Sequence, residues 1–136
     1  MGDDRFEQRL EALDLSLFDA IESQTGAGDK RSLLAIQRAT RHLADRYRYL
    51  EIGSHLGGSI QPHLLDPRCT AITSIDKRPL SQPDERGVSF AYEGNSTARM
   101  RSLLAAVGPT DKLTTIDGSA PEIDPGSLGE PVQLCF

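Results

Sequence analysis

A chain of 136 residues with a net charge of -5 is the size of one ordinary domain, too short for two independent cores, and its acidic balance argues against a dominant affinity for nucleic acid or other polyanions. Its apolar and charged fractions, 38% and 26%, are those of a globular protein, and no run approaches the roughly 20 apolar residues of a membrane-spanning helix. The opening MGDDRFEQRLE lacks the apolar core of a secretory signal, and Cys69 and Cys135 share no metal-ligand spacing with each other or with His42, His55 and His63, so a reducing cytoplasm, away from membranes, is the expected setting.

Phe6, Leu10 and Leu13, then Leu17, Phe18 and Ile21, fall at helical spacing and predict two short amphipathic helices before the turn Gly26-Ala27-Gly28-Asp29. Asp29 is the expected N-cap of a third helix ending near Asp45, with Leu33, Ile36, Thr40 and Leu43 as its apolar stripe. The basic residues Lys30, Arg31, Arg38, Arg41, Arg46 and Arg48 read as an ordinary solvated face. Tyr47 to Ile52 is rich in aromatic and branched residues and predicts a buried strand. A short helix over Ser59–Leu65 is broken by Asp66-Pro67, and a second strand runs from Thr70 to Ile75, ending at Asp76. Pro79 and Pro83 mark an irregular polar link, and Val88–Tyr92 a further short strand. Asn95 or Ser96 caps a helix in which Met100, Leu103, Leu104 and Val107 match the helical template, ended by Gly108-Pro109. Leu113–Ile116 and Val132–Phe136 complete the strands. Strands alternating with helices predict an α/β, Rossmann-like fold: a mostly parallel sheet with helices on both faces, preceded by N-terminal helices. Residues 1–46 would form a helical cap and residues 47–136 a ligand-binding half-domain.

The stretch YLEIGSHLGGS places Gly53, Gly57 and Gly58 directly after the first strand. In an open parallel sheet, ligands lie beyond the carboxyl ends of the strands, where a glycine turn lets bare backbone approach a nucleotide. Such a turn also serves simply to reverse the chain, so further signals are needed. Asp76 supplies one, ending the second strand at close to the roughly 20-residue offset at which a carboxylate reaches ribose hydroxyls. Glu51 supplies another, because a carboxylate just before the first glycine would repel a pyrophosphate and suits a ligand with a cationic group.

The order Glu51-x-Gly53-x-x-x-Gly57-Gly58, then Asp76 after TAITSI, then TTIDGSA and PVQLCF, resembles the class I S-adenosylmethionine-dependent methyltransferases. YLEIGSHLGGS followed by SIDKRP looks most like a branch of small-molecule and sugar O-methyltransferases that includes proteins similar to the cephalosporin-hydroxylase methyltransferases. The resemblance covers about residues 47 to 136. It implies S-adenosylmethionine as cofactor, with S-adenosylhomocysteine as product. The loop Gly53, Ser54, His55, Gly57 and Gly58 would hold the methionyl part, with Glu51 near its amino end. Asp76 would bind the ribose, Lys77 would flank the adenosine, and the turn Asp117, Gly118, Ser119 and Ala120 would contact adenine. His55 stands where relatives often carry a third glycine, and Ser119 where many carry an aspartate.

In proteins of this type the sheet continues past the fourth strand, and the acceptor pocket, base and any metal ligands commonly follow it, so the resemblance implies that the C-terminal half of the domain lies beyond Phe136. The catalytic residues are unassigned. The expected acceptor is a small molecule whose hydroxyl is deprotonated by a base or by a metal ion, for which the residues present offer no ligand set. Two other readings stay open: a non-catalytic methyltransferase-like interaction module, and an NAD(P)-dependent oxidoreductase, whose fingerprint lacks its middle glycine at His55. The oligomeric state is open, a homo-oligomer included.

Overall fold

The computed structural model describes residues 2–23, 25–78, 81–83, 89–91 and 94–136. Helix α1 (Gly2–Glu11) and a single 3-10 turn, Leu15–Phe18, lead the chain. The second predicted helix is therefore only a turn, because the Asp14 side chain accepts the Ser16 N–H at 3.0 Å and caps it. Phe6, Leu10, Leu17 and Phe18 are nonetheless buried as their spacing predicts, packed with Leu34 in a small core.

Helix α2 (Ala27–Leu43) starts after Gly26, not Asp29, and ends at Ala44. Asp29 lies in its first turn, where a negative charge favours the positive end of the helix dipole. The expected apolar stripe is rotated outward: Ile36 is 49% and Leu43 90% exposed, while Leu34, Gln37 and Arg41 face inward. Arg41, assigned above to a solvated face, is thus buried. Both stripes have helical spacing, and the polar one wins because partners await it. Gln37 Nε2 lies 3.1 Å from the Tyr47 hydroxyl and 3.2 Å from Asp66 Oδ2. Asp66 Oδ2 also accepts the Tyr47 hydroxyl at 3.0 Å and faces Arg41 Nε at 3.1 Å. Asp66 Oδ1 takes the Arg68 N–H at 2.9 Å. A buried carboxylate persists only when its charge and lone pairs are answered in this way. His63 is buried and stacks on Tyr49 with centroids 3.7 Å apart. Burial pulls its pKa down to about 3 and the Lys112 charge adds to the fall, so the ring is neutral.

Strand β1 (Tyr47–Ile52) runs into the glycine loop, and a 3-10 turn (Gly58–Ile60) continues as α3 (Gln61–Leu65) before β2 (Cys69–Asp76). The segment expected to be irregular contains β3 (Ser81–Pro83), which pairs antiparallel with β4 (Ser89–Ala91). Pro79, Val88 and Tyr92 lie outside the described residues. Helix α4 (Thr97–Val107), capped by Ser96 accepting the Arg99 N–H, leads to β5 (Leu113–Asp117). Two 3-10 turns precede β6 (Leu134–Cys135), shorter than the predicted strand, although Phe136 continues the ladder by donating to Leu50 O and accepting from Ile52 N.

The four main strands are parallel in the order β5-β2-β1-β6. Helices α3 and α4 bury Ile60, Leu64, Met100 and Leu104 against Tyr47, Tyr49, Ile72 and Leu113. This is the Rossmann-like α/β architecture. The register sets Glu51 beside Ser74, Ile52 beside Ile75, and Asp76 beside Asp117, so the carboxyl ends of β1, β2 and β5 finish level.

Removing one member of the Asp66 cluster leaves the others buried and unpaired. Asp66→Ala is expected to lower unfolding free energy by about 3 kcal/mol or more, whereas Ile36→Asn on the outer face should change it by no more than about 0.5 kcal/mol. Urea titration of the two variants checks the rotation of α2 directly.

Candidate functional site

Two hollows meet at the carboxyl end of the sheet, with Gly53 in the wall of both. The first, about 250 Å³, is lined by Ile52, Gly53, Ile75, Asp76, Lys77, Gly118, Ser119, Ala120 and Pro121. The second, about 140 Å³, is lined by Glu22, Ser23, Thr25, Gly53, Ser54, His55, Leu56, Gly58, Ser59 and Phe136. The sequence-predicted Gly53, Asp76, Lys77, Gly118, Ser119 and Ala120 therefore come together in one cavity, and Ser54, His55 and Gly58 in its neighbour. Glu51 and Gly57 line neither.

The glycines divide by role. Gly53 has φ +82°, and a Cβ built on it would meet nothing within 4 Å, so the space above its backbone is open. Gly57, at φ +87°, would set a Cβ 3.0 Å from Leu104 Cδ1, and Gly58 would set one 2.6 Å from Ser23 Cβ. Gly57 lets the loop pack on α4, and Gly58 lets the N-terminal segment pack on the loop. Of these three glycines, Gly53 is the one at which a Cβ would meet no neighbour. The N-terminal contact is held by Gln61, whose Oε1 accepts Ile21 N–H at 3.1 Å and whose Nε2 faces Phe18 O at 2.8 Å and Gly58 O at 3.0 Å. The N-terminal segment is thereby a wall of the second hollow, a role its composition did not signal.

Asp76 closes β2 and is nearly buried. Its Oδ2 accepts the His55 N–H at 2.8 Å and its Oδ1 the Arg78 N–H at 2.7 Å. Carboxylate oxygens have about four acceptor sites between them, so both oxygens retain capacity for ligand hydroxyls. His55 sits at φ +51°, in the left-handed region where glycine is usual. Burial lowers its imidazole pKa, the Asp76 charge opposes the shift, and Arg78 and Arg99 reinforce it.

Glu51 is 1% exposed on the core side of β1. Its Oε1 accepts the Tyr49 hydroxyl at 2.8 Å, while Oε2 has no partner of hydrogen-bond geometry. Ser54 lies close enough to act on it, and the Ser54 hydroxyl in turn accepts Ser74 Oγ at 2.6 Å. Burial pushes the Glu51 pKa up to about 7; the Ser54 and Tyr49 hydroxyls hold it back and the Asp76 charge adds to the rise. The sequence places this carboxylate at the strand end facing a cation. The structure sets it under the loop floor, at the root of the glycine turn.

Ile52, Ile75 and Pro121, which the sequence did not single out, give the first cavity apolar walls. Ile52 and Phe136, at 48% and 53% exposure, are large apolar side chains left open at the two hollows. Among the described residues no group of three His, Cys, Asp or Glu side chains is placed to hold a metal ion, and no helix is long and apolar enough to cross a membrane.

Two stability measurements test these assignments. Gly57→Ala combines backbone strain with a contact against Leu104 and should cost about 2 kcal/mol or more, against about 1 kcal/mol for Gly53→Ala, which meets strain alone. For Glu51, the folded pKa of about 7 exceeds the ordinary value of 4.5. The stability linked to its protonation is thus complete below about 4.5 and lost as pH rises through about 7. Glu51→Gln should gain on the wild type across that window, by on the order of 3 kcal/mol at the top. A pH-independent difference between the two proteins would contradict the buried carboxyl.

No protein-family model matches the chain, and no curated protein does either. Among solved structures the chain is similar to one described as a "putative O-methyltransferase" from Klebsiella pneumoniae, with a TM-score of 0.51 and 21% identity over 96% of this chain and 48% of that one. The chain spans about half the length of that neighbour, and at this identity the likeness shows the fold alone, a Rossmann-like α/β fold.

Proposed function

We propose that this chain forms the cofactor-binding half of an S-adenosylmethionine-dependent methyltransferase acting on a hydroxyl of a small molecule or sugar. The observation that carries the reading is the 250 Å³ cavity, in which open backbone at Gly53, the Asp76 carboxylate and the Gly118-Ser119-Ala120 turn face one another across the level ends of β1, β2 and β5. Those residues fit a nucleoside. Asp76 would accept from ribose hydroxyls, Ile52, Ile75 and Pro121 would flank the purine, and the Ser119 hydroxyl would meet its polar edge. The smaller hollow would take the amino-acid end, with Ser54 and His55 on one side and Glu22 on the other. A buried carboxyl with an unpartnered oxygen at the loop root, Glu51, suits a cationic ligand better than a pyrophosphate.

When bound, S-adenosylmethionine supplies an activated methyl group on a sulfonium centre, and transfer depends mainly on alignment of the acceptor. The residues of this chain contribute binding and orientation. A base is assigned to none of them.

Calorimetric titration with S-adenosylmethionine, adenosine and NADH tests the reading. Saturable binding of the first two and not of NADH is expected. Asp76→Ala would also release both the His55 and Arg78 amides, so Asp76→Asn, which keeps an acceptor for one of them and turns its NH2 toward the other, is the milder variant. It should weaken S-adenosylmethionine binding by about tenfold or more through loss of the charged acceptor, with a melting temperature below wild type but above that of Asp76→Ala. Unchanged affinity in Asp76→Asn would remove the ribose assignment.

A further inference from the structure

The Arg78 side chain lines neither hollow, yet it is only 10% exposed and its guanidinium joins the segments around them. Nη1 donates to the His55 carbonyl and, at 3.0 Å, to Asn95 Oδ1; Nε donates to Thr97 Oγ1 at 3.0 Å; Nη2 lies 3.2 Å from the Met100 sulfur. Thr97 passes the connection on by donating to Asp117 Oδ1 at the end of β5. Nη1 also lies 3.7 Å from Asp76 Oδ2. The two peptide groups that flank the His55 Cα are therefore both held, the first through the His55 N–H by the Asp76 carboxylate and the second through the His55 C=O by the Arg78 guanidinium. That grip acts on a non-glycine residue at φ +51°, a conformation that side chains adopt only when their surroundings enforce it.

We propose that Arg78 is a positioning residue that holds the loop from Gly53 to Gly58 in its binding shape through the His55 carbonyl, and couples that loop to Asp76. The inference deepens the function proposed above and rests on it for the identity of the ligand. A planar fork with five donors suits the task, since one ammonium could not span His55 O, Asn95 Oδ1 and Thr97 Oγ1 together. The coupling has a consequence: a nucleoside that engages Asp76 should tighten the loop even without a methionyl group to fill the second hollow.

The test combines ligand titration with amide hydrogen exchange on the full chain. In the wild type, adenosine should slow exchange over residues 53–58. In Arg78→Ala, the loop amides should exchange faster without ligand, adenosine should no longer protect them, and S-adenosylmethionine affinity should fall by about tenfold or more, the scale of a misplaced site, while exchange in α2 and β1 stays at its wild-type rate. Added methylguanidinium should restore both loop protection and affinity, and methylammonium should not. Arg78→Lys, which keeps charge and bulk, should behave like Arg78→Ala, and it decides the matter if the alanine variant does not fold. Affinity within about twofold of wild type, or a loss matched by faster exchange throughout the sheet, would overturn the proposal. If the wild type binds neither ligand, the functional reading fails, and the unliganded exchange rates of residues 53–58 alone still decide whether Arg78 holds the loop.

Discussion

The structure depends on one buried carboxylate, that of Asp66. It ends α3, and its two oxygens gather Tyr47 from the start of β1, Gln37 and Arg41 from α2, and the Arg68 amide on the way into β2. The four partners come from three segments, so the cluster fixes the amino-terminal ends of β1 and β2 relative to each other and to α2. The register of β1 against β2 shifts once, between Tyr47 and Arg48, and from Arg48 onward runs unbroken to the opposite end of the sheet, where Glu51 pairs beside Ser74 and Ile52 beside Ile75. The level finish that forms the candidate site is thus set by pairing along the strands. Such a cluster favours one arrangement over its competitors, because any other register leaves charge buried and unpaired.

A second carboxylate does comparable work at the other pole. Asp76 accepts two backbone amides, His55 and Arg78, before any ligand arrives. Preorganisation of this kind reduces the ordering that binding must impose. It also means that the side chain expected to recognise ribose is the one that shapes the loop. Because Asp76 belongs to both, the two hollows, joined at Gly53, are mechanically a single site.

Much of the fold was legible in the sequence. Tyr47–Ile52, the run ending at Asp76 and the stripe Met100, Leu104 each obey the periodicity of a buried strand or helix, and burial of apolar surface enforces that periodicity. The face of α2 was not legible. Leu33-Ile36-Thr40-Leu43 is the more apolar stripe, and nothing local reveals that Gln37 and Arg41 will meet Asp66, some 25 residues and more along the chain. Of the first cavity, Gly53 and Asp76 were named from spacing, because the turn after each parallel strand faces the same end of the sheet, whereas Lys77, Gly118, Ser119 and Ala120 came only from the family resemblance. Ile52, Ile75 and Pro121 were missed, since an apolar residue at a strand end carries no chemical signal. Gly57 and Gly58 were read as ligand glycines. Their close approaches to Leu104 and Ser23 add a packing reason for glycine at both positions, one that three-dimensional neighbours reveal and spacing does not.

The state of Glu51 follows from the face of β1 on which it lies. A carboxyl at the end of β1 would be ionised if it faced water, but Glu51 is on the core side of the strand and 1% exposed. Burial then raises its pKa to about 7, so that a group ordinarily charged at neutral pH lies close to half-protonated. A cation brought to the second hollow would favour the ionised form, and by linkage the ionised form would favour the cation. Burial on the core face of β1 therefore sets the charge state at the root of the glycine loop.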